Sequence, residues 1–293
     1  MNPAPQFDKR AVRLAFERAA HSYDAAAVLQ HEVCRRMDER LDLIKHQPAT
    51  LLDAGCGTGN ALPALRKRYA KARIIELDLA LAMLRCARAR SSGPWWKSML
   101  TQTVTPLCGD LEALPLASGS VDLVWSNLAL QWANDNDKAF AEFHRVLAPG
   151  GLLMFSTFGP DTLKELRAAY AGVDQHTHVS RFVDLHDIGD SLVKGGFADP
   201  VMDMESFTLT YDTVRALMHD LKAIGAHNAT RDRPTGLSGK SRLEAVTKAY
   251  ETLRRDGKLP ATFEVVYGHA WKPLPRVTAG GKRVIDIKVA ASK

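Results

Sequence analysis

The sequence predicts an α/β protein with a doubly wound, mostly parallel sheet, and three observations carry that prediction. From residue 50 onward, short apolar runs of strand character alternate with amphipathic helical stretches, the pattern of βαβ units that pack helices on both faces of a sheet. The first run ends in a glycine-rich turn, "LLDAGCGTGNAL", at 51–62. Three acids, Asp53, Asp78 and Asp110, stand at three strand ends, where ligands of open α/β sheets approach.

The elements follow in order. "DAAAVLQHEVCRRMDERLDLI" places Leu29, Val33, Met37, Leu41 and Ile44 three or four residues apart, the stripe of an amphipathic helix. Strands are predicted at 50–54, 73–78, 104–108, 121–126 and 151–157, with helices near 60–70, 80–90 and 135–147 between them. "LAPGG" before the fifth strand supplies helix-stop and turn chemistry. In "FGPDTLKELRAAY", Thr162 and Glu165 match a capping box, and Leu163, Leu166 and Tyr170 mark one apolar face. The alternation then loosens, with a strand at "ESFTLTY", a helix at "TVRALMHDLKAIG" and a β-rich stretch at "ATFEVVYGHAW". The sheet thus has seven strands. The division is an N-terminal helical cap at 1–48, the α/β domain at 49–273 with a substrate-side insertion at about 160–240, and a flexible basic tail at 274–293.

Composition narrows the class. With 46% hydrophobic and 25% charged residues the chain is globular. Of the net charge of +6, +4 lies in residues 276–293, so a solvated tail explains the basic balance and a nucleic-acid partner is not expected. No apolar run reaches membrane length and no secretory signal precedes the fold. Cys34, Cys56, Cys86 and Cys108 are scattered without a C-x-x-C spacing; neither disulfides nor zinc are indicated, and a cytoplasmic location fits. His176, His178 and His186 are read as loop histidines, and Trp95 and Trp96 in "SSGPWW" as loop anchors. No metal is expected.

The glycine turn is not a phosphate cradle. G-x-G-x-x-G would need a glycine where Asn60 stands; the third glycine is Gly59, one residue early, and no Gly-Lys-Ser/Thr follows. Asp53 would repel a pyrophosphate, whereas it pairs with a ligand carrying ammonium or sulfonium charge. Asp78 closes the second strand, where an acid accepts ribose hydroxyls. Asp110, in "CGDLEALPL", is placed to meet an adenine edge, with Leu111 as apolar cover, and Asn127 ends the fourth strand, a position expected to contact the amino-acid portion of the ligand.

This ordered set resembles the class I S-adenosylmethionine-dependent methyltransferases, through hh-D-x-G-x-G-x-G, an acid ending the second strand, G-D before the adenine site, and "VDLVWSN" followed by "RVLAPGGLLMFS". The resemblance implies a Rossmann-like sheet and S-adenosyl-L-methionine as methyl donor. It implies that Gly55, Gly57 and Gly59 admit the methionine moiety, that Asp78 binds ribose and that Met83 packs beside adenine. Cys56 and Leu79 complete the cofactor-binding set, Cys56 as a loop residue and not a nucleophile.

Outside this core, "FERAAHSYDAAAVLQHEV", "LALQWAND", "HTHVSRF", "LKAIGAHNATR" and "LPATFEVVYGHAW" resemble the BioC family, the malonyl-acyl carrier protein O-methyltransferases of biotin synthesis. That resemblance implies esterification of the free carboxylate of a malonyl thioester. A carboxylate is already ionised at pH 7 and needs no general base, only a cation to orient it; Arg181 in "HVSRF" is the candidate. Tyr23 in "HSYD" lies in the segment that folds over the cofactor in related methyltransferases. Acyl carrier proteins are acidic, which makes Lys164, Arg167, Lys222, Arg231 and Arg233 candidate docking residues. Two other readings stay open. "TFGPDTLKELR" and "DGKLPATFEVVYGHAWK" also resemble methyltransferase-like assembly factors of respiratory complex I, associated with arginine hydroxylation. A small-molecule or quinone methyltransferase would show a hydrophobic acceptor pocket.

Overall fold

A computed structural model describes residues 7–91, 104–173, 176–226 and 240–275. Trp95, Trp96, Arg231, Arg233 and the tail from 276 lie outside the described residues. Three helices open the chain, α1 (Lys9–Ala19), α2 (Tyr23–Ala26) and α3 (Val28–Arg40). Alternation then runs β1 (Thr50–Ala54), α4 (Leu62–Arg68), β2 (Arg73–Asp78), α5 (Leu81–Ser91), β3 (Val104–Cys108), β4 (Val121–Ser126), α6 (Asn136–Val146) and β5 (Leu147–Phe158). The chain continues with α7 (Lys164–Ala171), α8 (Leu185–Lys194), β6 (Ala198–Tyr211), α9 (Val214–Ala223), α10 (Lys240–Glu251) and β7 (Leu259–Trp271).

The seven strands form one sheet in the order β3-β2-β1-β4-β5-β7-β6. β1 to β5 pair in parallel, and β7 inserts antiparallel between β5 and β6. The expected mostly parallel, doubly wound sheet is the one observed. Successive residues of a strand face opposite sides, so Leu51, Ile74, Leu123 and Leu152 enter one core, and Leu52, Ile75, Val124 and Leu153 the other. The order turns back at β1, whose neighbours are β2 and β4, and the crevice at the carboxyl ends of these strands is where such a sheet receives its ligand. Pro106 sits in β3, the edge strand, where a missing N–H is tolerated.

Three local expectations change. β5 begins at Leu147, four residues before the expected start, because Leu147 pairs with Val121 as soon as α6 ends. β6 begins at Ala198 instead of 205; Pro200, Asp199 at φ +50° and a register shift between Ala198 and Val201 break the alternation that marks a strand. The capping box does not form. α7 is preceded by Leu163 at φ +54° with no side-chain cap. Thr162 Oγ1 instead donates to the Glu264 carbonyl at 3.0 Å and accepts from its N–H at 3.1 Å, while Glu165 accepts from the Thr262 N–H at 3.0 Å. These bonds tie the residues around the start of α7 to β7, a partner that no local pattern reveals. The stretch 160–240 contains β6 itself, an integral edge strand of the sheet.

Candidate active site

The crevice beside β1 is a cleft of about 840 Å³, open solvent included. Its floor is the glycine turn. Gly55, Gly57 and Gly59 all have positive φ, +82°, +55° and +78°, which lets the chain reverse sharply between β1 and α4. The N–H groups of Gly55 and Cys56 bond to the Leu77 carbonyl at 2.8 and 2.9 Å, which ties the turn to β2. Gly57 N–H donates to Asp78 Oδ2 at 2.9 Å, and Ala80 N–H to Asp78 Oδ1 at 2.8 Å. One carboxylate at the end of β2 therefore fixes both the turn and the start of the next loop.

Of the residues expected from sequence, Tyr23, Gly55, Gly57, Asp78, Leu79, Met83, Asp110, Leu111 and Asn127 line this cleft. Asp53 and Cys56 do not; they face a smaller recess beneath the turn, which shares Tyr23, Gly55, Gly57 and Asn127 with the cleft. Gly59 lines neither. A Cβ there would lie 2.9 Å from Glu76 Oε1 and 3.0 Å from the Ala87 Cβ, so its part is close packing of the turn against β2 and α5. Arg181 is exposed and lines a neighbouring cleft with Glu112, Asp135 and Asp137.

Sequence reasoning assigned no role to several residues of the cleft: Lys9, Phe16, Gln30, Gln131, Trp132 and Phe158. Lys9 reaches across from α1 to Asp110 at 2.9 Å and also pairs with Glu112. Glu17, one α1 residue of the same face, accepts from the N–H groups of Leu81 and Ala82 at 2.8 and 3.0 Å and so caps α5. Phe16 meets the Trp132 ring edge-on at 5.3 Å. The first helix thereby roofs the cleft. The available signal was the amphipathic N-terminus and the Trp of "LALQW", but neither states which partner it meets.

A second, largely apolar chamber adjoins the cleft, sharing Gln131, Trp132, Phe158, Ile224 and Ala226 with it and adding Leu163, Leu166, Phe182 and Phe263. Among the described residues, those common to both spaces carry no carboxyl, imidazole or amine side chain, while His178 lines the chamber itself.

Comparison with known proteins agrees with this geometry. A methyltransferase-domain family model matches residues 52–155. The malonyl-[acyl-carrier protein] O-methyltransferase of Gallionella capsiferriformans is 60% identical over 279 residues, covering 95% of this chain and 96% of the relative. The chain belongs to the malonyl-[acyl-carrier protein] O-methyltransferase family. Among solved structures, the YcgJ protein of Bacillus subtilis superposes with a TM-score of 0.57 at 16% identity, covering 83% of this chain and 99% of that one. A phosphoethanolamine N-methyltransferase of Haemonchus contortus, solved with S-adenosyl-L-methionine, gives 0.51 at 18% identity, covering 88% of this chain and 57% of that one. These two show the shared fold.

As a member of this family the protein is an S-adenosylmethionine-dependent methyltransferase, and its cleft fits the donor. A Cβ on Gly57 would meet nothing within 4 Å, so the turn presents bare backbone to open space. Asp53 is 2% exposed and its Oδ2 has no hydrogen-bond partner, an arrangement suited to a cationic group. Burial raises the Asp53 carboxyl well above its ordinary range, and Glu76 and Asp78 add to the effect. Asp78 is pushed up to about 6, first by burial, against the lowering effect of the Ala80 and Gly57 N–H groups. The Cys56 thiol is held protonated by burial and by Asp78, Asp53 and Glu76, and a thiol without thiolate character is a poor nucleophile. Burial, then Asp78 and Asp24, likewise raise the Tyr23 phenol, which favours its protonated form. Among the described residues no group of three or more His, Cys, Asp or Glu side chains is arranged to hold a metal, and no helix is long and apolar enough to cross a membrane.

Proposed function

We propose that this protein methylates the free carboxylate of malonyl-acyl carrier protein, the esterification step used in biotin synthesis. The observation that carries the reading is 60% identity across 95% of the chain to a malonyl-[acyl-carrier protein] O-methyltransferase. The joint between the cleft and the apolar chamber is compatible with it chemically, because its described residues supply no base and a carboxylate acceptor that arrives already ionised needs none. Bound S-adenosyl-L-methionine supplies an electrophilic methyl group. The chain's own residues hold and align: Asp78 takes the ribose hydroxyls, Asp110 and Leu111 the adenine edge with Met83 and Leu79 beside it, and Gly55, Gly57, Asn127 and Asp53 the methionine portion. Tyr23 closes the near side of the cleft, while Trp132 and Phe158 exclude water from the joint, where alignment of the reactants provides most of the acceleration.

Arg181 stays the candidate holder of the acceptor's anionic group, from the neighbouring cleft that shares Gln131 and Phe158 with the donor side. Arg181→Ala is expected to raise the acceptor KM roughly tenfold, the scale of one charge-assisted contact, with donor affinity unchanged in a calorimetric titration. An unaltered KM would remove Arg181 from the acceptor path.

Docking of an acidic carrier would use exposed cations near these openings. Lys222 is exposed at the end of α9. Lys164 is already paired with Asp161 at 2.9 Å, and Arg167 donates to the Pro160 and Thr162 carbonyls, so Lys222 is the better candidate of the three. The complex I assembly-factor reading is not favoured, since it rests on two segments against a match along nearly the whole chain. The decisive experiment has two arms. Purified protein should transfer label from the methyl donor to malonyl-acyl carrier protein, and its gene should restore growth of a biotin auxotroph lacking the methyltransferase. Donor binding without either result would defeat the proposal. A cytoplasmic location belongs to the same reading, because carrier-bound malonyl thioesters are made there.

A further inference from the structure

The recess beneath the glycine turn holds two polar atoms with no hydrogen-bond partner, Asp53 Oδ2 and His31 Nε2. Leaving buried polar atoms unpaired is costly, and here a carboxylate oxygen and an imidazole nitrogen, a donor in the tautomer that carries its proton on Nε2, stand unpaired in one space. The nearest acid to the imidazole is Asp24, whose Oδ1 is 3.8 Å from Nε2, beyond hydrogen-bond range. Asp24 is committed elsewhere: Oδ1 accepts from Thr58 Oγ1 at 2.5 Å, and Oδ2 pairs with Arg90. The recess opens onto the donor cleft past Tyr23, Gln30, Gly55, Gly57 and Asn127.

We propose that His31 is the residue that holds the carboxylate of the donor's amino-acid group. An α-amino acid carries one cation and one anion on the same carbon, and the recess offers a carboxylate and an imidazole N–H to match. With Asp53 taking the ammonium group, the carboxylate falls to the other unpaired atom, and an imidazole N–H to a carboxylate is a charge-assisted bond. The imidazole is set in place by the fold. Asn127 Nδ2, at the end of β4, donates to the Gln30 carbonyl at 3.1 Å, which fixes the first turn of α3 over the recess, and His31 is the next residue. This inference rests on the donor's identity and is independent of which acceptor is methylated.

The test is a calorimetric comparison of S-adenosyl-L-methionine with decarboxylated S-adenosylmethionine, which keeps the ammonium, sulfonium and nucleoside. The unaltered protein is expected to bind the complete donor at least about tenfold more tightly. His31→Ala should lose that tenfold for the complete donor and nothing for the decarboxylated one, so that the two ligands bind alike. Should His31→Ala fail to fold, His31→Phe, which fills similar space without a donor, is read in the same way. Equal losses for both ligands would assign His31 a purely structural part, and no loss for either would remove it from the site; both outcomes overturn the proposal. Neither depends on activity toward malonyl-acyl carrier protein.

Discussion

Gly55→Ala is expected to unfold the glycine turn and abolish measurable donor binding. The residue has φ +82°, a region that costs a non-glycine residue about 1–2 kcal/mol. The added methyl would lie 2.3 Å from the Ala129 Cβ, and Ala129 is buried in the segment after β4. Overpacking of this kind costs a further ~1–3 kcal/mol, so the melting temperature should fall by several degrees. The partner residue makes the argument testable in parts. Gly55→Ala combined with Ala129→Gly removes the collision and leaves the dihedral strain, and should recover part of the lost stability; recovery of none would show that the contact with Ala129 is not the cause. Gly57→Ala is the complementary case. With φ +55° and open space around its Cβ, it carries the dihedral strain without the collision and should lower the melting temperature less than Gly55→Ala, yet weaken donor binding because its methyl group enters the cleft.

Asp78→Asn is expected to weaken donor binding by about a hundredfold, the scale of one to two charge-assisted hydrogen bonds. Asp78 contributes a pH dependence of its own, alongside Asp53 and Glu76, whose carboxyls burial also raises. Its carboxyl is raised to about 6, with burial the largest cause. The folded state therefore binds the proton more tightly than the unfolded chain, and the resulting stability is fully present below about pH 4 and lost as pH rises through about 6. Donor affinity should move in the opposite sense, falling as pH drops through about 6 and the carboxylate proposed to accept the ribose hydroxyls becomes protonated. Melting curves and titrations across pH 4–8 check both slopes. An Asp78→Asn variant that retained the melting slope between pH 4 and 6 would assign that slope to another group.

Much of the lining of the cleft at the sheet's carboxyl ends was legible in the sequence because its residues lie at fixed offsets along a repeating unit. The acid that closes β2 and the residue that ends β4 are found by counting along βαβ units, and Asp78 and Asn127 duly meet Gly55 and Gly57 at one cleft. Gly59 was grouped with the other two glycines by spacing, whereas its close neighbours are Glu76 and Ala87. Spacing gives the shape of a turn but not the side to which each residue faces. The capping box failed for a related reason: Thr162 and Glu165 have the right local offset, and the strand β7, almost a hundred residues away, outcompetes that local use by offering Thr262 and Glu264.

By itself the sequence determined the α/β class, the sheet's parallel core, the donor and the family, because periodicity, glycine spacing and strand-end acids are properties of neighbours along the chain. The tertiary structure alone decided what covers the donor cleft and what adjoins it. Lys9 finds Asp110, Glu17 caps α5, Phe16 packs on Trp132, and His31 comes to stand over the same recess as Asp53. Each of these pairings joins residues separated by at least twenty positions and is set by packing of the N-terminal helices onto the finished sheet, a contact whose partners no local pattern encodes.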